Sequence, residues 1–315
     1  MKHVNTVIHK NWLQNELPDK SVQLIIADPP YFEVKGEFDF IWNSFEDYLQ
    51  DVEKWAIECK RLLADNGTLF WWGMDRKIAY TQIILDKHFN LLSTLVWEKP
   101  SNPNEWDTRR TFPERGAERL LMYANDFDVN ALASIYDDPK NYTEVKQYLR
   151  SEKQKTGLKS DWFVSNSSTY CSHYFALTSQ WAFPTERDYK AFQKSGFFQK
   201  PYEDLKKEYE DLKKEYEELR RPFNNYLNLT DVLRFSRENN IYDHETIKPE
   251  KLTRALILTC SRRNDLVFVP FAGSGTECAM AAKEGRKFIG YDIERKYVGM
   301  ANKRCVPHLT QLQIL

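Results

Sequence analysis

The chain has 315 residues, 42% hydrophobic and 14% aromatic, which excludes global disorder. Its formal net charge is −1, from 45 Lys and Arg against 46 Asp and Glu. That excludes a uniformly basic surface but leaves room for a local basic stripe that binds nucleic acid.

In chain order, the opening MKHVNTVIHKNWL lacks the apolar stretch of a signal peptide, and no later run is long and apolar enough to span a membrane. Ser21–Ala27 (SVQLIIA) reads as a buried strand. SFEDYLQDVEKWAIECKRLLADNG reads as an amphipathic helix, capped by Ser44 with Asp47 three residues on and ended by Gly67. TLFWWG is a further strand, and a helix is predicted from about Arg76 to His88. LLSTLVWEK and AERLLMYAN are two more strands, and the alternation predicts a mainly parallel twisted sheet.

After Asn125 the pattern changes. Residues 125–243 are polar, rich in Tyr, Ser, Asn and Lys, and lack strand–helix alternation. Between Lys140 and Lys159, the basic residues Lys140, Lys146, Arg150, Lys153, Lys155 and Lys159 outnumber Glu144 and Glu152, as a solvated loop or a nucleic-acid stripe. Tyr202, Tyr209 and Tyr216 recur every seven residues, with Leu205, Leu212 and Leu219 three places after each. This predicts one amphipathic helix ending before Pro222, packed on its own domain rather than in a dimeric zipper. The α/β signal then returns: PEKLTRALILTCS (helix), DLVFVPF (strand), GTECAMAAKEG (helix), RKFIGYDI (strand), KYVGMANKRC (helix). The five cysteines, Cys59, Cys171, Cys260, Cys278 and Cys305, are scattered without a C-x-x-C pair, so no metal site or disulfide scaffold is expected and a reduced cytosol is the simplest compartment.

Two stretches carry chemistry. In the first, a strand runs into Phe271, Ala272, Gly273, Ser274, Gly275 and Thr276 and then into a helix, and Asp292 ends the next strand. The glycines let a ligand approach the main chain, the helix N-terminus suits an anion, and an acid so placed accepts hydrogen bonds from ribose hydroxyls. In the second, Asp28, Pro29, Pro30 and Tyr31 follow the strand Ser21–Ala27. The prolines stiffen the loop; the carboxylate can accept from an exocyclic amine and the ring can stack on a flat base.

With these residues in order, the chain resembles the S-adenosylmethionine-dependent DNA amino-methyltransferases, of the N6-adenine kind. Asp28–Tyr31 (DPPY) matches their catalytic motif, Phe271–Thr276 (FAGSGT) their cofactor motif, and His244–Pro249 (HETIKP) the signature before it. The resemblance implies a Rossmann-like class I methyltransferase sheet of α/β class, circularly permuted in the β-class order. It divides the chain into a catalytic block at 1–124, an inserted target-recognition domain at 125–243 and a cofactor block at 244–315. His244, Thr246, Lys248, Pro249, the Phe271–Thr276 turn, Asp292 and Ile293 are the implied cofactor-binding residues. The implied activity is methyl transfer from S-adenosyl-L-methionine to adenine N6 in duplex DNA by base flipping, with N4-cytosine transfer or a non-catalytic DNA-binding relative as alternatives. Asp28 favours adenine, because N4-cytosine members usually carry Ser there. Two positions depart from the family pattern: Val269 stands where an Asp is usual before Pro-Phe, and Asp292 replaces a more usual Glu. Arg109, Arg110 and Arg115 are candidates for phosphate contact. Double-stranded DNA is the expected partner, with a cognate restriction endonuclease and a second copy of the chain as further candidates; the expected location is the cytoplasm of a bacterium or of a phage host.

Overall fold

The computed structural model describes residues 3–34, 39–74, 77–99, 117–125, 143–176, 180–237 and 247–311. His244, Thr246, Arg109, Arg110, Arg115 and Lys140 lie outside the described residues. The chain divides into two compact units, Met1–Asp126 with Arg221–Leu315, and Phe127–Arg220.

The first unit contains β1 (Thr6–His9), β2 (Val22–Ala27), α1 (Phe45–Leu62), β3 (Leu63–Gly73), α2 (Ile78–Leu85), β4 (Asn90–Glu98) and β5 (Ala117–Ala124). The second holds α3 (Thr143–Thr156), α4 (Ser160–Asn166), α5 (Cys171–Tyr174), α6 (Glu186–Gln193) and α7 (Tyr202–Leu219). The first unit resumes with β6 (Val232–Arg234), α8 (Glu250–Cys260), β7 (Leu266–Val269), α9 (Thr276–Lys283), β8 (Lys287–Asp292) and α10 (Arg295–Gln311). Among the described residues no helix is long and apolar enough to cross a membrane.

One eight-stranded sheet runs in the order β1-β8-β7-β2-β3-β5-β4-β6. All neighbouring pairs are parallel except β3 with β5 and β4 with β5, so β5 alone is reversed. Side chains alternate across the sheet. Leu24, Ile26, Phe70, Trp72, Val267 and Val269 pack on one face with Leu252 of α8, Ala279 of α9 and Ala301 of α10. Ile25, Leu69, Trp71 and Phe268 pack on the other with Val52, Trp55 and Ala56 of α1. This is a three-layer α/β/α stack, and each fully buried Leu, Ile or Phe contributes roughly 1.5–3 kcal/mol.

Two local expectations change. Ser44 does cap α1, accepting from the Asp47 N–H at 3.1 Å, but the helix stops at Leu62, not Gly67. Leu63 is drawn into β3, opposite Val22. Gly67 serves close approach instead: a Cβ there would lie 2.5 Å from Leu63 Cδ1. The second α/β block begins at Arg221, earlier than 244, because β6 pairs with β4 and so belongs to the sheet. Finally, the four-residue edge strand β1, too short to show a pattern, pairs with β8; Asn302 of α10 bonds both the N–H and the C=O of its Val7, at 2.9 and 2.8 Å.

The second unit has its own core. Val145, Leu149, Phe163, Tyr174, Tyr189, Phe192, Phe198 and Leu205 are buried together. The heptad face of α7 packs here: Leu205 is buried and Tyr209 stacks on Phe183 with ring centroids 4.5 Å apart. From Thr143 to Thr156 the basic segment is the helix α3 rather than a loop. Its Lys146 is buried, Lys153 lies 4.5 Å over the Phe175 ring, and Lys155 pairs with Glu152 at 2.6 Å.

Candidate active site

The parallel pairing of β2 with β7 sets Leu24 opposite Val267 and Ile25 opposite Phe268. The two chemistry-bearing loops therefore leave adjacent strands at the same, carboxyl edge. From β7 the chain crosses to β8 on one side; from β2 it crosses to β3 on the other. This is a topological switch point, where open α/β sheets form their ligand crevice.

The β7–α9 turn is held by its backbone. The Ala272 N–H donates to Tyr291 O at 2.8 Å and the Gly275 N–H to Ala272 O at 2.7 Å. Gly275 has φ +77°, and a Cβ there would lie 2.5 Å from Ala301 Cβ, so only glycine fits. As N-cap it offers no side chain, and the first N–H groups of α9 carry no side-chain cap. Arg304 of α10 braces the turn, donating to Thr276 Oγ1 at 2.8 Å and to Glu250 at 2.7 Å. At the end of β8, Asp292 accepts from the Gly273 N–H through Oδ2 and from the Glu294 N–H through Oδ1, each at 2.8 Å. The neighbouring Ile293 is 63% exposed, an apolar surface beside a carboxylate.

Around the β2 loop the structure assembles a charge network. Asp28 Oδ1 accepts from the Tyr31 hydroxyl at 2.6 Å, and Oδ2 accepts from Lys248 Nζ at 2.6 Å. Lys248, only 4% exposed, also pairs with Glu118 of β5 at 3.2 Å, and Glu118 accepts from Lys99. Burial disfavours the Lys248 ammonium, but the Asp28 and Glu118 carboxylates outweigh it and hold its pKa above the ordinary lysine range. Burial likewise raises the Glu118 carboxyl, yet Lys248 and Lys99 hold it below its ordinary value. Burial first, then Asp28 and Glu118, push the Tyr31 phenol well up, so it stays a donor. Asp39, 2% exposed, accepts from the Tyr31 N–H at 2.5 Å and pins the loop behind the prolines.

A shallow groove beside Tyr31 is lined also by Phe32, Tyr48, Trp72 and Lys77. Among the described residues, the buried Trp72 indole N–H has no hydrogen-bond acceptor.

Of the sequence-predicted residues, Asp28, Tyr31 and Lys248 come together directly, and the Phe271–Thr276 turn and Asp292 form one wall with Ile293 at its rim. Lys248, expected on the cofactor side, is bonded to Asp28. Glu118, Lys99 and Asp39 were not foreseen. The available signal for Glu118 was an acid at the start of a strand that is apolar from Leu120 onward, since an acid buried there needs a cation.

A family model described as DNA methylase matches residues 22–303. The Type II methyltransferase M.HinfI of Haemophilus influenzae is 26% identical over 96% of this chain and 68% of its own length. The DNA adenine methyltransferase YhdJ of Escherichia coli K12 is 27% identical, over 95% and 82% respectively. Among solved structures, an M1.HpyAVI–SAM complex aligns with a TM-score of 0.53 at 17% identity, covering 95% of this chain and 98% of that one. The cytosine-N4-specific PvuII DNA methyltransferase aligns with a TM-score of 0.53 at 13% identity, covering 98% and 93%. At these identities the two solved structures speak to the fold alone.

Proposed function

Because the chain belongs to the DNA methylase family, we infer that it transfers a methyl group from S-adenosylmethionine to the N6 amine of adenine in duplex DNA. The observation that carries this reading is the placement of Asp28, braced by Lys248, at the end of the strand adjacent to the glycine turn.

The residues of the turn fit the cofactor. The uncapped N-terminus of α9 suits its carboxylate, Asp292 its ribose hydroxyls and exposed Ile293 its flat base. When bound, the cofactor supplies a methyl group already activated by a positively charged sulfur.

The remaining work falls to this chain's own residues. Asp28 has lone pairs left after binding Lys248 and Tyr31, so it can accept a hydrogen bond from the target amine and turn the nitrogen lone pair toward the methyl carbon. The same carboxylate faces the positive charge that develops on nitrogen, and receives the proton the amine gives up. Tyr31, on the wall of the shallow groove, provides a face for the base, which must leave the duplex stack at a cost of a few kcal/mol. Asp28 in place of the Ser of N4-cytosine enzymes supports adenine as the target. The unit Phe127–Arg220 reads the DNA sequence in this proposal.

Incubation with duplex DNA and methyl-labelled cofactor, followed by mass analysis of nucleosides, tests the reading. N6-methyladenine is expected. N4-methylcytosine alone would overturn the adenine assignment, and no methylated nucleoside on a panel of genomic DNAs would favour a non-catalytic DNA-binding protein.

A further inference from the structure

One group beside the turn is used by nothing described so far. Glu277 lies in the first turn of α9, directly after Thr276, and is 6% exposed. Its neighbours are paired: Asp28 and Glu118 share Lys248, and Glu250 takes Arg304. Glu277 makes no ion pair or hydrogen bond to another side chain among the described residues. Burying a carboxylate whose hydrogen bond comes from its own backbone N–H rather than from a cation is costly, and the group escapes by holding its proton. Burial first, and then the Asp28 charge, raise its pKa to about 7. The charged groups facing it are Asp28 from the end of β2, Lys248 from the segment before α8 and Arg304 from α10. The thiols of Cys278 and of Cys305 on α10 are pushed up by burial, out of the range that matters here.

The helix that carries Glu277 also presents uncapped N–H groups at the same turn. An amino acid's carboxylate and ammonium share one carbon, so a carboxylate held at the α9 N-terminus brings an ammonium to within a few bond lengths. That ammonium needs an anionic acceptor, and the strand before the turn provides none, because β7 ends in buried Val269. We propose that Glu277 binds the α-ammonium group of S-adenosylmethionine, so that α9 grips both ends of the cofactor's amino-acid zwitterion. This rests on the cofactor assigned above.

The consequence is a coupling between cofactor affinity and pH. The ammonium favours ionised Glu277, so a protonated Glu277 must lose its proton on binding. With a free-state pKa of about 7, the dissociation constant of the wild-type chain should rise about tenfold from pH 8 to pH 6.

Isothermal titration of the full chain with S-adenosylmethionine at pH 6, 7 and 8 tests this. The expected result is that rise, with close to one proton released per cofactor at pH 6, read from the dependence of the enthalpy on buffer ionisation. Glu277→Gln should bind at pH 8 more weakly than wild type does at pH 6, without the pH step. Methylthioadenosine, which lacks the amino-acid end, should show no step with wild type, a comparison that needs no variant. A step that persists in Glu277→Gln or appears with methylthioadenosine, or its absence from wild type, overturns the proposal. Failure of wild type to bind S-adenosylmethionine at any pH overturns the cofactor assignment itself, and this inference with it.

Discussion

Asp28 is held from two sides, by the Tyr31 hydroxyl and by Lys248, so its carboxylate is oriented before any ligand arrives. Asp28→Ala should abolish methylation, a loss of at least ~100-fold, while the cofactor still binds; turnover assays and titration calorimetry check the two halves. Lys248→Met should be severe in another way. It leaves Asp28 and Glu118 without their shared cation, and breaking such a buried pair costs roughly 3–5 kcal/mol, visible as a lower melting temperature at neutral pH. Glu277→Gln should do the reverse in the ligand-free protein. Its folded-state pKa is raised to about 7 from the ordinary 4.5, so the native state binds the proton more tightly than the unfolded chain. Stability is therefore lost as pH rises from 4.5 to 7 and stays lower above that. The amide variant should melt higher than wild type at pH 8, by on the order of 3 kcal/mol of stability, and the gap should close near pH 4.5. Equal melting profiles across that range would refute the raised pKa.

At the scale of elements, the glycine turn and the helix after it act as one piece. Gly275→Ala meets both a left-handed φ of +77° and the Ala301 Cβ at 2.5 Å, so it should cost more than ~1 kcal/mol and weaken the cofactor site together with stability. Differential scanning calorimetry and cofactor titration on the one variant would register both. In the second unit, Leu205→Ala removes a fully buried side chain from the α7 face and should cost roughly 2–5 kcal/mol within that unit. Hydrogen exchange should place the loosening in Phe127–Arg220 and leave the sheet protected, because the two units have separate cores.

At the scale of the whole molecule, the sheet unit carries every residue assigned to chemistry, and the unit Phe127–Arg220 carries none. Replacing 127–220 by the matching unit of a relative should therefore change which DNA sites are modified and leave the modified atom unchanged. Methylation-sensitive sequencing reads the first, and nucleoside mass analysis the second. A chimaera that modifies the original sites would remove sequence reading from this unit. With a net charge of −1, DNA affinity must come from local clusters of basic residues, so activity should fall as salt rises.

The sequence by itself determined what is local. Strand and helix identity followed from apolar periodicity, the Ser44 cap from a single hydroxyl, and the catalytic and cofactor motifs from residues contiguous along the chain. Their order, with an unlike segment between them, already implied a permuted sheet. Only the tertiary structure decided what depends on partners far apart in sequence. Lys248 meets Asp28 across 220 positions, and Asn302 staples Val7 across 295. Glu118 asks for a cation from within its strand, but only the fold names Lys99 and Lys248 as the ones that close on it. Glu277 reads as a helix residue until burial and the nearby Asp28 charge raise its pKa to about 7. Periodicity reports which face a side chain takes; its charge state depends on what the fold sets against that face.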